Sequence, residues 1–183
     1  MKLENLFDEN IIKIDQYILT HLNSADVPSI YEIYKDPRCT EFQALKSMHD
    51  ISDASHYLDN TRLHISKRYF MKWAIREISS HELIGLFSVH HLDLINHTCQ
   101  FGYILNPRYW HMGIMSKVLS HMTSALLDEH AFHRIELNIH PDNSASIHVA
   151  TRCGYEREGL KKQCAFNPTS HTYEDRYLYS KLR

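Results

Sequence analysis

The segment of this 183-residue chain best suited to hold a charged ligand is Asn106-Pro107-Arg108-Tyr109-Trp110-His111-Met112-Gly113-Ile114-Met115-Ser116. It lies between an alternating, strand-like run ending at Leu105 and a long helix-periodic run that starts at Ile114. A strand that breaks at a proline and feeds a helix through a short loop leaves the first backbone N–H groups of that helix without partners. Those donors and the positive end of the helix dipole form a seat for phosphate or pyrophosphate. No Gly-Lys-Ser/Thr follows, so this is not a Walker loop, and it lacks the three glycines of a dinucleotide fingerprint. Taken alone, the loop reads equally well as a ligand-free strand-to-helix connection.

The fifteen histidines raise a metal reading. His90 and His91 point to opposite faces if their segment is a strand, and His130 and His133 straddle a helix end. None forms His-Glu-x-x-His or a Cys/His array, so no metal is expected. Cys39, Cys99, Cys153 and Cys164 are widely spaced with no Cys-x-x-Cys pair, which favours reduced buried thiols over disulfides or zinc. A net charge of −2 lacks the basic face of a nucleic-acid binder. No apolar run approaches the roughly 18 residues of a membrane helix. Residues 1–10 carry acids where a signal peptide has a basic-then-apolar layout. A cytoplasmic setting is expected, with neither nucleic acid nor membrane as partner.

The elements that must position the loop follow from periodicity and turn chemistry. No linker or repeat divides the sequence, so residues 1–183 read as one α/β domain with a sizeable core. A first strand is expected at 15–20. Ser24 is expected to cap a helix at 25–35 with Val27, Ile30, Tyr31 and Tyr34 on one face, and a second helix spans 53–66. Three strands at 70–78, 83–92 and 98–105, joined by short polar turns, form an antiparallel meander. The helix after the loop shares Ile114, Val118, Met122, Ala125 and Leu126 on one side. A strand at 134–140 turns Ile135, Leu137 and Ile139 inward. Asn143 or Ser144 caps a short helix that ends before Gly154, a C-cap glycine. Strands at 155–164 and 173–182 complete the order β-α-α-β-β-β-α-β-α-β-β.

Two blocks of sequence resemble a known family. One runs Phe101-Gly102-Tyr103-Ile104-Leu105-Asn106-Pro107 through Gly113-Ile114-Met115-Ser116. The other runs Arg134-Ile135-Glu136-Leu137-Asn138-Ile139-His140-Pro141-Asp142-Asn143-Ser144-Ala145-Ser146, then Cys153-Gly154-Tyr155-Glu156-Arg157-Glu158-Gly159. With the ending His171-Thr172-Tyr173-Glu174-Asp175-Arg176-Tyr177, they resemble the GNAT superfamily of N-acetyltransferases, and within it the RimJ/RimL type that acetylates protein N-termini. The resemblance implies a single α/β (α+β) domain, with a mixed, mostly antiparallel central sheet of about seven strands flanked by about four helices. It implies acetyl-coenzyme A as cosubstrate and an amine as acceptor.

By that resemblance the pyrophosphate rests on N–H groups from Tyr109 to Ile114, spanning Trp110, His111, Met112 and Gly113, with Arg108 in the loop and a hydroxyl donor from Ser116. The pantetheine arm pairs with the strand edge at Tyr103, Ile104 and Leu105 as an added strand. His111 departs from the pattern, standing where the family has its first glycine. Glu158 becomes the candidate base and Ser146 the candidate acid for the departing thiolate. Ser146 also suits plain helix capping, Glu158 also suits a solvent-facing strand position, and Asn143 reads as a coenzyme or backbone anchor. Tyr155 reads as core. Gln100 and Asn138 hold positions where relatives carry carboxylates. Direct transfer needs a neutral amine: at pH 7 deprotonation costs about 1.4 kcal/mol for an α-amine and about 4.6 kcal/mol for a lysine. A weakly equipped site therefore favours a protein N-terminal α-amine, with a polyamine or aminoglycoside as runner-up and a non-catalytic coenzyme-binding module as the competitor. The acceptor groove is expected among Tyr31, Tyr34 and Phe42, where exposed aromatics also favour a homodimer.

Overall fold

Alternation of large apolar side chains along every central strand is what builds this molecule. The computed structural model describes residues 11–68, 70–129 and 132–183; the acidic segment 1–10 and His130 lie outside them. Eight strands form one sheet in the order β1-β2-β3-β4-β5-β6-β8-β7. They are β1 (Ile11–Ile14), β2 (Tyr17–His21), β3 (Met71–Glu77), β4 (Leu83–Asp93), β5 (Thr98–Leu105), β6 (Arg134–Ile139), β7 (Glu156–Asn167) and β8 (Thr172–Leu182). Helices α1 (Val27–Tyr34), α2 (Pro37–Thr40) and α3 (Ile51–Ser66) precede β3, α4 (Ile114–Ser124) follows β5, and α5 (Ser144–Arg152) follows β6.

Side chains one residue apart in a strand enter opposite cores. Trp73, Ile75, Phe87, Phe101 and Leu105 pack with Ile114, Val118 and Met122 of α4 and Ala150 of α5. Their neighbours Ala74, Leu86 and Ile104 pack with Ile30, Ile33 and Tyr34 of α1 and Ala54 and Leu58 of α3. The sheet is thus a layer with α4 and α5 on one face and α1 to α3 on the other. Asp26, only 3% exposed, takes two hydrogen bonds of 2.7 and 2.8 Å from Arg76 and receives the Asn23 N–H, which ties the start of α1 to β3.

The sheet has one strand more than expected. The strand anticipated at 15–20 begins in a turn at Asp15 (φ 52°), and the additional strand β1 folds back on β2 there in a hairpin. Helix count also rises by one, because Asp36 accepts the Arg38 N–H and sets α2 going after Pro37. The residue capping the first turn is Asn23, not Ser24. Its side chain and that of Asp26 form a capping box over a 3₁₀ turn, and Asp50 and Asp53 form another for α3. The meander β3-β4-β5 stands as expected, and β5 keeps the bounds read from sequence. Among the described residues no helix is long and apolar enough to cross a membrane.

Candidate functional site

The chemistry gathers where β5 parts from β6. These parallel strands pair only through Thr98, Cys99 and Gln100 opposite Arg134, Ile135 and Glu136. Beyond Gln100 the strands diverge. Because Asn106 donates to the Ile84 carbonyl, the antiparallel alternation directs the N–H and C=O groups of Phe101, Tyr103 and Leu105 away from β4, into the gap. The gap opens into a cavity of about 740 Å³ between β5, the loop after it, the start of α4 and the start of α5.

Loop geometry corrects the count of donors. Arg108 N–H bonds the Asn106 side chain, Tyr109 N–H the Asn106 carbonyl, and Trp110 N–H the Pro107 carbonyl. The expected seat on Tyr109 and Trp110 amides is therefore consumed within a 3₁₀ turn. The six N–H groups from His111 to Ser116 have no acceptor among the described residues, the first bond of the new helix being Lys117 to Gly113. That chain of bare amides at the N-terminus of α4 has the chemistry to seat an anion. His111 (φ 61°) and Gly113 (φ 72°) both adopt the left-handed conformation that turns the backbone inward. Histidine tolerates it at a cost glycine does not incur.

Of the side chains expected to hold coenzyme, Tyr103, Ile104, Leu105, Tyr109, Trp110 and His111 line the cavity from the strand and loop. Gly113, Ile114 and Ser116 line it from the helix start, and Asn143 and Ser146 from α5. Trp110 folds back, its indole donating to the Leu105 carbonyl at 2.7 Å, and Gln43 donates to the Tyr103 carbonyl at 3.2 Å. The strand edge is thus less open than expected: side chains occupy two carbonyls. Met112 points outward at 61% exposure, and Arg108 turns to a neighbouring cavity of about 910 Å³ that Tyr31 also lines. Neither reaches the main cavity.

At its inner end, Asn143 accepts the Ser146 N–H at 3.0 Å and so caps α5, which places the Ser146 hydroxyl at the cavity wall. The Tyr103 hydroxyl is buried and faces Ser146 without completing a hydrogen bond. Burial drives its pKa up, so it stays a neutral phenol. Tyr155 is core, as expected, bonding Thr123 at 2.7 Å.

Glu158 does not reach the cavity. Arg134 grips its carboxylate with two bonds of 2.8 and 2.5 Å and Ser180 donates at 2.6 Å. The Arg134 bonds, then that of Ser180, hold its pKa down to about 2. A carboxylate so firmly held is a weak proton acceptor, so the expectation of Glu158 as base is corrected to an ion-pair anchor. The physical cause is the bulge at residues 157–159, which brings Glu158 onto the Arg134 guanidinium.

Two further expectations change. Tyr34 is buried and bonds Tyr57 at 2.9 Å, so it is no groove residue, whereas Phe42 lies against His140, just past β6, at 5.1 Å between ring centroids and lines the cavity. His90 and His91 do not face opposite ways, since His91 (φ 50°) lies in a bulge that brings their Nδ1 atoms to 2.7 Å. No group of three or more potential metal ligands exists among the described residues. Cys39, Cys99 and Cys153 are buried free thiols and Cys164 is an exposed one.

A family model described as an acetyltransferase (GNAT) domain matches residues 16–156. The uncharacterised N-acetyltransferase YoaA of Bacillus subtilis (strain 168) is 25% identical over 170 residues, 93% of this chain and 95% of its own length. The ribosomal-protein-serine acetyltransferase of Escherichia coli (strain K12) is 31% identical over 101 residues, 55% of each chain. Among solved structures, the microcin C7 self-immunity acetyltransferase MccE, in complex with acetyl-CoA and AMP, superposes with a TM-score of 0.85 at 20% identity, covering 95% of this chain and 97% of its own. The bare amides, the parted strands and the match over residues 16–156 agree: this chain belongs to the GNAT family of acetyltransferases, enzymes that move acetyl from acetyl-coenzyme A to an amine.

Proposed function

We propose that this chain acetylates the α-amine of protein N-termini. The observation that carries the reading is the line formed by six bare amides, the turned-out edge of β5 and the point where β5 leaves β6. From Leu105 back to Phe101 the strand spans about 13 Å at roughly 3.3 Å per residue. An extended arm with amides of its own fits that edge as an added strand, anchored by phosphates at His111 to Ser116. Its thioester end then lies near Gln100 and Glu136. The fit rests on orphaned donors in the cavity wall, and the bound coenzyme supplies the activated acetyl group.

Ser146 is the proton donor for the departing thiolate in this reading. Its hydroxyl stands at the cavity wall with the neutral Tyr103 phenol behind it. Preference for an α-amine follows from deprotonation cost, about 3 kcal/mol lower than for lysine at pH 7. The similarity to a ribosomal-protein-serine acetyltransferase supports the same acceptor class. The similarity to MccE, whose complex contains AMP, supports a small-molecule amine as second reading.

Thiol release from acetyl-coenzyme A, followed with a chromogenic disulfide, separates these readings. Peptides with free N-termini are expected to release thiol and the same peptides with blocked N-termini are not. Release with polyamines or aminoglycosides alone selects the second reading. Thiol release with none of these amines leaves a coenzyme-binding module without catalysis.

A further inference from the structure

The sheet face opposite α4 and α5 carries a chain of polar groups through the parting of β5 and β6. Along β6, Ile135, Leu137 and Ile139 are buried in the core, while Arg134, Glu136 and Asn138 alternate onto the other face, partly exposed. Glu136 and Gln100 form the last registered pair before the strands separate. Gln100 Nε2 donates to Glu136 Oε2 at 3.2 Å, Arg134 Nε donates to Glu136 Oε1 at 2.8 Å, and Asn138 Nδ2 donates to Gln100 Oε1 at 2.8 Å. Arg134 also holds Glu158, so one guanidinium serves two carboxylates and one negative charge is left over.

No other cation cancels that charge among the described residues. Lys161 ends on Asn138 Oδ1 at 3.2 Å and makes no ion pair with either carboxylate. His90, opposite Gln100 on β4, is held neutral by burial and by His91 and Lys72, with its pKa pushed down to about 4. His140 lies toward Glu174, and Ser180 of β8 bonds Glu158. A carboxylate has about four acceptor sites, and Glu136 uses two of them. Its side chain is 21% exposed, enough for a small cationic head to reach it.

We propose that Glu136 is the acceptor-side catalytic residue: it binds the ammonium of the incoming amine and takes its proton. The assignment rests on the placement of the thioester end given above. The ammonium passes one proton to the Glu136 carboxylate, which returns it to water. The freed nitrogen lone pair forms the C–N bond to the acetyl carbon. The C–S bond then breaks with its electron pair on sulfur, and a second nitrogen proton passes through Ser146 to the thiolate, leaving one on the amide. Gln100, which cannot itself take the proton, orients the carboxylate.

The test compares Glu136→Gln with wild type in two measurements. Calorimetry follows an N-terminal peptide binding to the coenzyme A-loaded protein, and steady-state rates are taken from pH 6.5 to 9.5. Binding is expected to weaken about tenfold or more, with acetyl-coenzyme A affinity unchanged. The acceptor kcat/KM is expected to fall about 100-fold at pH 7, and the loss to shrink towards pH 9.5, where bulk water deprotonates the amine. Glu136→Asp, which keeps the charge, is expected to retain binding. A loss of kcat/KM below threefold, a loss equal at every pH, or amine binding indifferent to the substitution overturns the proposal. So does a coenzyme-loaded wild type that binds no amine. A wild type that acetylates only polyamines, with the same dependence on Glu136, overturns the N-terminal reading and leaves Glu136 in its role.

Discussion

Replacing His111 with glycine removes a Cβ from a residue held at φ 61°, in the loop whose amides form the proposed anion seat. A left-handed conformation costs an ordinary L-residue about 1–2 kcal/mol. Glycine avoids that cost but loses more chain entropy on folding, about 0.5–1 kcal/mol. The balance favours the variant by about 0–1.5 kcal/mol, a factor of up to about 13 in a binding constant if all of it is felt in the loaded loop. The imidazole has no hydrogen-bond partner among the described residues, so nothing else is lost. Calorimetry with acetyl-coenzyme A is therefore expected to show equal or tighter binding, and the melting temperature to hold or rise. Gly113→Ala is the matched control: a Cβ there meets nothing within 4 Å, so only the backbone at φ 72° objects. It is expected to weaken binding or lower stability by about 1 kcal/mol. Tenfold weaker coenzyme binding by His111→Gly refutes this reasoning and makes the imidazole itself a phosphate ligand.

Glu158→Gln tests the correction of the expected base. Its folded pKa lies below the ordinary carboxylate value, so its stabilisation is complete above about pH 5 and vanishes as pH falls towards about 2. With the side chain 39% exposed, screening reduces the contribution to about 1 kcal/mol. Melting temperatures of variant and wild type are expected to differ at pH 7 and converge in acid, with turnover within a few-fold; a hundredfold loss of turnover at unchanged stability would return Glu158 to the role of base. Tyr103→Phe deletes a buried hydroxyl without a hydrogen-bond partner, so thermal stability is expected to hold or rise by about 1 kcal/mol. A drop of several degrees in melting temperature would show that the hydroxyl is bonded in solution.

The loop between β5 and α4 was legible because its evidence is local. Pro107, Gly113 and the switch from a two-residue to a 3.6-residue period stand next to one another in the chain, and β5 kept its expected bounds. Gly154 took the left-handed C-cap conformation for the same local reason. Hairpins without such punctuation were not legible. The turn at Asp15 uses a left-handed aspartate rather than Asn-Gly, so only the β2 side of the hairpin reads as a strand and β1 does not, and α2 is too short to show a helical period. Glu136 escaped notice for a different reason: an acid between two apolar strand residues looks like any solvent-facing position. Its importance comes from Gln100, 36 residues earlier in the chain.

From the residues alone followed the order of most elements and the place expected for an anion seat, because each depends on neighbours within a turn or two, while the family followed from the resemblance of whole sequence blocks. Tertiary structure alone decided which carboxylate stands at the parting of the strands and which is held by Arg134 and Ser180 away from it. Arg134 and Glu136 on β6 share charge with Glu158 on β7. Whether an acid is free to accept a proton depends on the partners that packing brings to it, and separation along the chain carries no record of them.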